Sequence, residues 1–175
     1  FLTQSFDPDG INIVDDYIKR RGWNEKVQSK AYMKALSTSV VSLYEASEIV
    51  PGQSMTLRDM VRGGEPLLVH EHSATQSLKK WDRIAARVVP MNGKHILAGG
   101  VLPFTLEGTT LFQKGFDDLY RQSRDEGIHA DRDVLLADAA SLFTNVWLFD
   151  TLPKAMGLIA PMVYNSDGDE LVFHS

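Results

Sequence analysis

Residues 39–104 read SVVSLYEASEIVPGQSMTLRDMVRGGEPLLVHEHSATQSLKKWDRIAARVVPMNGKHILAGGVLPF, and the alternation in this stretch decides the fold. Short segments of period two separated by turn signals are the pattern of a small antiparallel sheet or a partly open barrel. The final hairpin is the best determined. Asn92-Gly93 supplies the two positive-φ residues of a type I′ turn, which predicts strands over 83–91 and 94–102 with Met91 facing Lys94. That register sets Val88 opposite Leu97, Ala86 opposite Gly99 and Ile84 opposite Val101, all on one buried face. The other face carries Arg83 and Arg87 beside Ala85, Val89 and Ile96, so a helix or partner is expected to cover it, with the guanidinium groups reaching outward.

Working back, Arg62-Gly63-Gly64-Glu65-Pro66 is a second hairpin signal, joining strands over 55–61 and 67–73. Pro66 has no N–H to give a ladder and belongs at the start of its strand or on an edge. Residues 39–50 are apolar on both parities, as expected of a strand crossing the middle of the sheet, and Pro51-Gly52 ends it. On the N-terminal side, Ile11, Val14, Tyr17 and Ile18 predict a helix stopped by Gly22. A second helix from about Asn24 is expected to bury Val27, Ala31, Ala35 and Leu36. After Phe104 the period becomes 3.6: Leu111, Phe112, Gly115, Phe116, Leu119 and Tyr120 form one stripe, capped by Thr109 or Thr110 and closed by Gly127. A broad apolar helix follows over 134–147, and Ser166-Asp167-Gly168-Asp169 marks a last hairpin.

The reading is thus one α+β domain: a helical hairpin over 1–38, a β core over 39–104, a helical pair over 105–150 and a hairpin over 151–175. A chain of 175 residues can bury a self-sufficient core. It contains no cysteine, which removes disulfides and thiolate metal sites from consideration and is compatible with a cytoplasmic setting. No apolar run reaches the length of a membrane span, so no membrane partner is expected. The start at Phe1 and the end within a strand-like segment are read as cuts in a longer chain. Charge is uneven: residues 1–54, 55–95 and 96–175 carry net charges of −1, +3 and −7. A net charge of −5 argues against tight binding to a phosphate backbone.

Three sets of residues carry candidate chemistry. His70 and His72 alternate, so on a strand they would point to one side and share a metal ion. A third ligand would have to come from Glu45, Asp59, His95 or outside the segment, and the alternative is a solvated outer face. Glu45 lies in an apolar strand, where a carboxylate must be paired or functionally perturbed; Arg58, Arg83 and Arg87 are the available partners. Arg62, Lys79, Lys80, Trp81, Arg83 and Arg87 form a basic, aromatic-bearing set near turns, a composition shared with nucleic-acid-binding barrels and with protein-contact surfaces. Gly63-Gly64 and Gly99-Gly100 do not precede helices and match no phosphate-binding fingerprint. None of these features calls for a cofactor.

The segment SLYEASEIVPGQSMTLRDMVRGGEPLLVHEHSATQSLKKWDRIAARVV, with KHILAGGVLPF, resembles the central region of a family of uncharacterised bacterial proteins, some of which carry a SEC-C motif. The resemblance covers about residues 40–110 and implies no reaction and no catalytic residue. The SEC-C motif is Cys-rich, so any such element would lie outside residues 1–175, and zinc is not assigned here on its account. The expected function is a non-enzymatic interaction module with a protein partner or with itself. Metal-dependent catalysis at Glu45, His70 and His72, and a nucleic-acid-associated barrel, are the alternatives.

Overall fold

The computed structural model describes residues 12–127, 131–158, 163–164 and 170–171. Six strands form the centre: β1 (Val41–Val50), β2 (Ser54–Asp59), β3 (Leu67–His70), β4 (Arg83–Met91), β5 (Lys94–Leu97) and β6 (Leu102–Phe104). Five of them close into a barrel in the order β1-β2-β3-β5-β4, with β4 returning to β1 and β6 added beside β4. This is the expected α+β barrel with helices on both flanks, and its sheet is mixed. The closing pair, β3 with β5, is parallel, setting Val69 beside His95 and His70 beside Ile96. Adjacent hairpins yield only antiparallel pairs, so the parallel seam follows from closure of the barrel.

The Asn92-Gly93 turn forms as the dipeptide dictates, with φ of 51° and 74°, and pairs Met91 with Lys94 and Val88 with Leu97. The strand does not continue to Leu102. Gly99, at φ 87°, breaks it, and the chain rejoins β4 two residues out of step, with Ile84 opposite Pro103 rather than Val101. Glycine permits that excursion because it lacks the Cβ that disfavours positive φ.

Period-two alternation fills both faces. Tyr44, Ala46, Met55, Leu57, Val69, Ile84 and Ala86 pack the barrel interior and are at most 2% exposed. Leu43 and Ala85 point outward into a second core with Phe104, with Phe112 and Phe116 of α3 (Leu106–Asp125), and with α4 (Arg132–Asp138) and α5 (Ala140–Val146). Helices therefore cover the outer face expected to need cover. Phe112 stacks on Phe143 with centroids 4.1 Å apart.

Helix bounds differ from the pattern in ways the contacts explain. α3 begins one turn earlier than expected because Thr105, not Thr109 or Thr110, is its cap, its Oγ1 accepting from the Gly108 N–H at 2.9 Å. Thr109 is instead buried, its hydroxyl donating to the Thr105 carbonyl. The broad apolar stretch is not one helix. It bends at Ala139, continues as α5, and passes through a wide turn over Trp147–Thr151 into α6 (Leu152–Ala155). These bends let Leu136, Ala139, Phe143 and Val146 follow the curved barrel wall.

At the N-terminal end, α1 (Ile13–Arg21) and α2 (Val27–Ser37) form the expected hairpin, joined by a tight turn over Gly22–Asn24. Its buried stripe is rotated. Ala35 and Leu36 of the expected stripe are partly covered together with Tyr32 and Met33, whereas Val27 and Ala31 face solvent, because α2 packs on β4 through the side that leads to Ser37 and Ser39. β7 (Val163–Tyr164) and β8 (Glu170–Leu171) pair antiparallel; the turn expected between them lies outside the described residues, as does Ile11.

Candidate functional site

The β1–β2 and β1–β4 ladders set Arg58 and Arg83 on either side of Glu45. All three point away from the barrel interior, on the parity opposite Tyr44 and Ile84. Glu45 is buried, and its carboxylate accepts from Arg58 at 2.7 Å and lies 3.6 Å from Arg83. Arg83 Nε is buried with no hydrogen-bond partner among the described residues. Glu45 is thus an ion-pair centre tying three strands together, the structural role open to a paired carboxylate.

One residue beyond this row, the β1–β4 ladder runs into the loop that carries Lys79, Lys80 and Trp81. The Trp81 N–H donates to the Ala46 carbonyl at 2.8 Å, and the Ala46 N–H donates to the Asp82 carbonyl at 2.9 Å. Asp82 also clamps the loop, accepting from the Lys79 N–H at 2.7 Å. Trp81 sits at φ 74° with 60% of its surface exposed, and the Lys80 ammonium lies over its ring at 4.7 Å. A left-handed backbone costs a non-glycine residue roughly 1–2 kcal/mol, so the fold holds an indole in solvent at an energetic cost.

The other basic candidates are drawn inward. Arg62 bonds Asp133 at 2.6 Å and Asp59 at 3.2 Å, and lies 3.5 Å from the Tyr44 hydroxyl. Burial, with the neighbouring Asp59 carboxylate, pushes the Tyr44 phenol up to about 12. Arg87 donates to the Ser39 carbonyl and hydroxyl, and burial pulls its guanidinium below the ordinary arginine value. Of the six basic and aromatic candidates, Lys79, Lys80 and Trp81 alone remain presented to solvent.

The histidines are not gathered. β3 ends at His70, so His72 leaves the strand, and its Nδ1 lies 2.8 Å from the Gly52 carbonyl and its Nε2 3.2 Å from Gln76. Asp59 Oδ1 is occupied by the Ser42 hydroxyl and by the Val61 and Arg62 N–H groups, which makes it a turn anchor. Among the described residues no group of three or more His, Asp or Glu is placed to hold a metal ion. Glu45, His70 and His72 therefore do not form one site here.

A polar cluster at the start of α3 escaped the pattern reading. Lys154 bonds Asp150 at 2.6 Å and also Glu107, while the Thr105 hydroxyl donates to Asp150 at 2.5 Å. Against the upward push of burial, the bonds from Lys154 and Thr105 hold the Asp150 carboxyl below the ordinary range. Against the downward push of burial, the bonds to Asp150 and Glu107 hold Lys154 above its own. Gly108 makes the close approach fit, since a Cβ there would lie 2.7 Å from Asp150 Oδ2. The Asp150-x-x-x-Lys154 spacing was the available signal; its link to Thr105 spans 45 residues and leaves no local trace.

No helix among the described residues is long and apolar enough to cross a membrane. No curated protein and no solved structure matches the chain. The family comparison does match, over residues 5–132, which take in the helical hairpin, the whole barrel, α3 and the first residue of α4. On that match the chain belongs to DUF7986, a family of unknown function.

Proposed function

We propose that the chain is a non-enzymatic interaction module whose contact surface is the Lys79-Lys80-Trp81 loop. The observation that carries this reading is Trp81, an exposed aromatic in a strained backbone pinned by bonds to Ala46. Strain of this kind persists where the surrounding structure over-determines it, and it concentrates at binding sites. Rigid indoles backed by cations serve as anchors in protein interfaces. The barrel interior is lined by buried apolar side chains, Tyr44, Met55, Leu57, Val69 and Ile84 among them, and the exposed Trp81 lies outside it. The partner that fits is a protein with an acidic, apolar-centred patch; a nucleic-acid partner is less favoured, because Arg62, Arg83 and Arg87 are engaged internally. In this reading the module works in a cytoplasmic bacterial protein, of a family in which some members carry a SEC-C motif.

The test pairs stability with binding. Trp81→Gly releases the strain and loses some packing, so stability should change by no more than about 1 kcal/mol. Pull-downs from the native cell lysate should then lose partners that the wild-type chain retains, and Lys79→Ala/Lys80→Ala should weaken the same set. Retention of every partner by both variants would contradict the assignment.

A further inference from the structure

The helical hairpin presents a second surface, unconnected to the Trp81 loop. Residues 13–37 hold six Lys or Arg (Lys19, Arg20, Arg21, Lys26, Lys30, Lys34) against three acids, Asp15, Asp16 and Glu25, giving +3 in a chain of net −5, with Arg20 paired to Asp16 at 2.8 Å. Glu25 accepts a bond from the Tyr17 hydroxyl at 2.7 Å. At the tip, Trp23 is 83% and Val27 80% exposed, and Ala31 continues the apolar line along α2. An exposed apolar line rimmed by cations is the surface of a docking element.

Its complement is present on the chain itself. Between α3 and α4 lies a groove of about 290 Å³ floored by Leu119, Val134 and Leu135, with Glu126 and Asp138 among its lining residues. It lies in the acidic C-terminal part of the sequence, residues 96–175, and a groove near the lower end of pocket sizes suits one aromatic side chain better than a cofactor. Leu119 and Val134 are 41% and 53% exposed. Trp23 is too exposed to occupy the groove of its own chain.

We propose that the Trp23–Val27 tip of one copy docks in the α3–α4 groove of a second copy. Trp23 fills the apolar floor, and Lys26 and Lys30 face Glu126 and Asp138. Hairpin and groove are different surfaces, so the contact is either reciprocal about a two-fold axis or head-to-tail.

Sedimentation equilibrium of the purified chain, run across protein concentration and salt, tests this. The expected result is association beyond 19.5 kDa that weakens as salt screens the charges. Trp23→Ala should weaken it by about 10-fold or more, as loss of an interface anchor does. Lys26→Glu/Lys30→Glu and Glu126→Lys/Asp138→Lys should each abolish self-association, and mixing these two variants should restore a heterodimer through the contact their reversed charges permit. A wild-type chain that stays monomeric at all concentrations would overturn the proposal. So would association that Trp23→Ala leaves unchanged, or charge-reversed variants that fail to pair when mixed. None of these outcomes depends on the Trp81 loop.

Discussion

Phe112→Ala is expected to lower the unfolding free energy by about 3–5 kcal/mol, the usual cost of deleting a fully buried phenylalanine. Phe112 has no exposed surface. It stacks on Phe143 at 4.1 Å and on Phe116 at 6.0 Å and meets Phe104 edge-on at 6.3 Å. No smaller side chain keeps those contacts, and rings held from three elements cannot close around the cavity. In a chain of this size the loss corresponds to a fall in melting temperature of roughly 10 °C, read by thermal denaturation. Leu111→Ala, one residue away but 54% exposed, should cost less than about 1 kcal/mol. Equal effects from the two would show that α3 does not face the barrel as described. Phe143 lies beyond residue 132, where the family match ends, so this stack joins the segment outside the match to the barrel.

Glu45→Ala should cost about 3 kcal/mol, toward the lower end for breaking a buried pair because Arg58 can turn into solvent. The damage falls on Arg83, whose Nε has no partner among the described residues and whose charge would lose the carboxylate beside it. A structural pair has a distinguishing property. Replacing both members by apolar residues of similar volume, Glu45→Leu with Arg83→Met, should recover most of the loss, as chemical denaturation would show. If the double replacement is as damaging as Glu45→Ala alone, the carboxylate is needed for something other than neutralising Arg83.

Local chemistry accounts for what the sequence foretold. Asn92-Gly93 and Gly63-Gly64 placed two hairpins, and the alternation of Ile84 and Ala86 with Ala85 in β4 distinguished the two faces of the barrel. Other features were not legible, each for a physical reason. The parallel β3–β5 seam depends on closure of the whole sheet, which no single hairpin specifies. Val27 and Ala31 have the spacing of a buried stripe, yet tertiary packing on β4 turned a neighbouring face inward. The basic set looked like one surface because composition does not reveal pairing: Arg62 found Asp133 from 71 residues away, while the Lys79 and Lys80 side chains stay exposed, Asp82 binding the Lys79 backbone N–H instead. Trp81 was legible as a candidate. Its positive φ, which gives the candidacy its force, was not, since glycine and asparagine announce a left-handed backbone and tryptophan does not.

A closed and fully packed barrel that displays its chemistry on the outside is most directly tested by amide hydrogen exchange, strand by strand. The β3 and β5 amides, across 67–70 and 94–97, should be as slow to exchange as those of the β1–β4 ladder, since a closed barrel has no free edge. Exchange within minutes along β3 and β5, with β1 and β4 still protected, would mean an open sheet with an unpaired edge and an accessible interior, and would contradict the account.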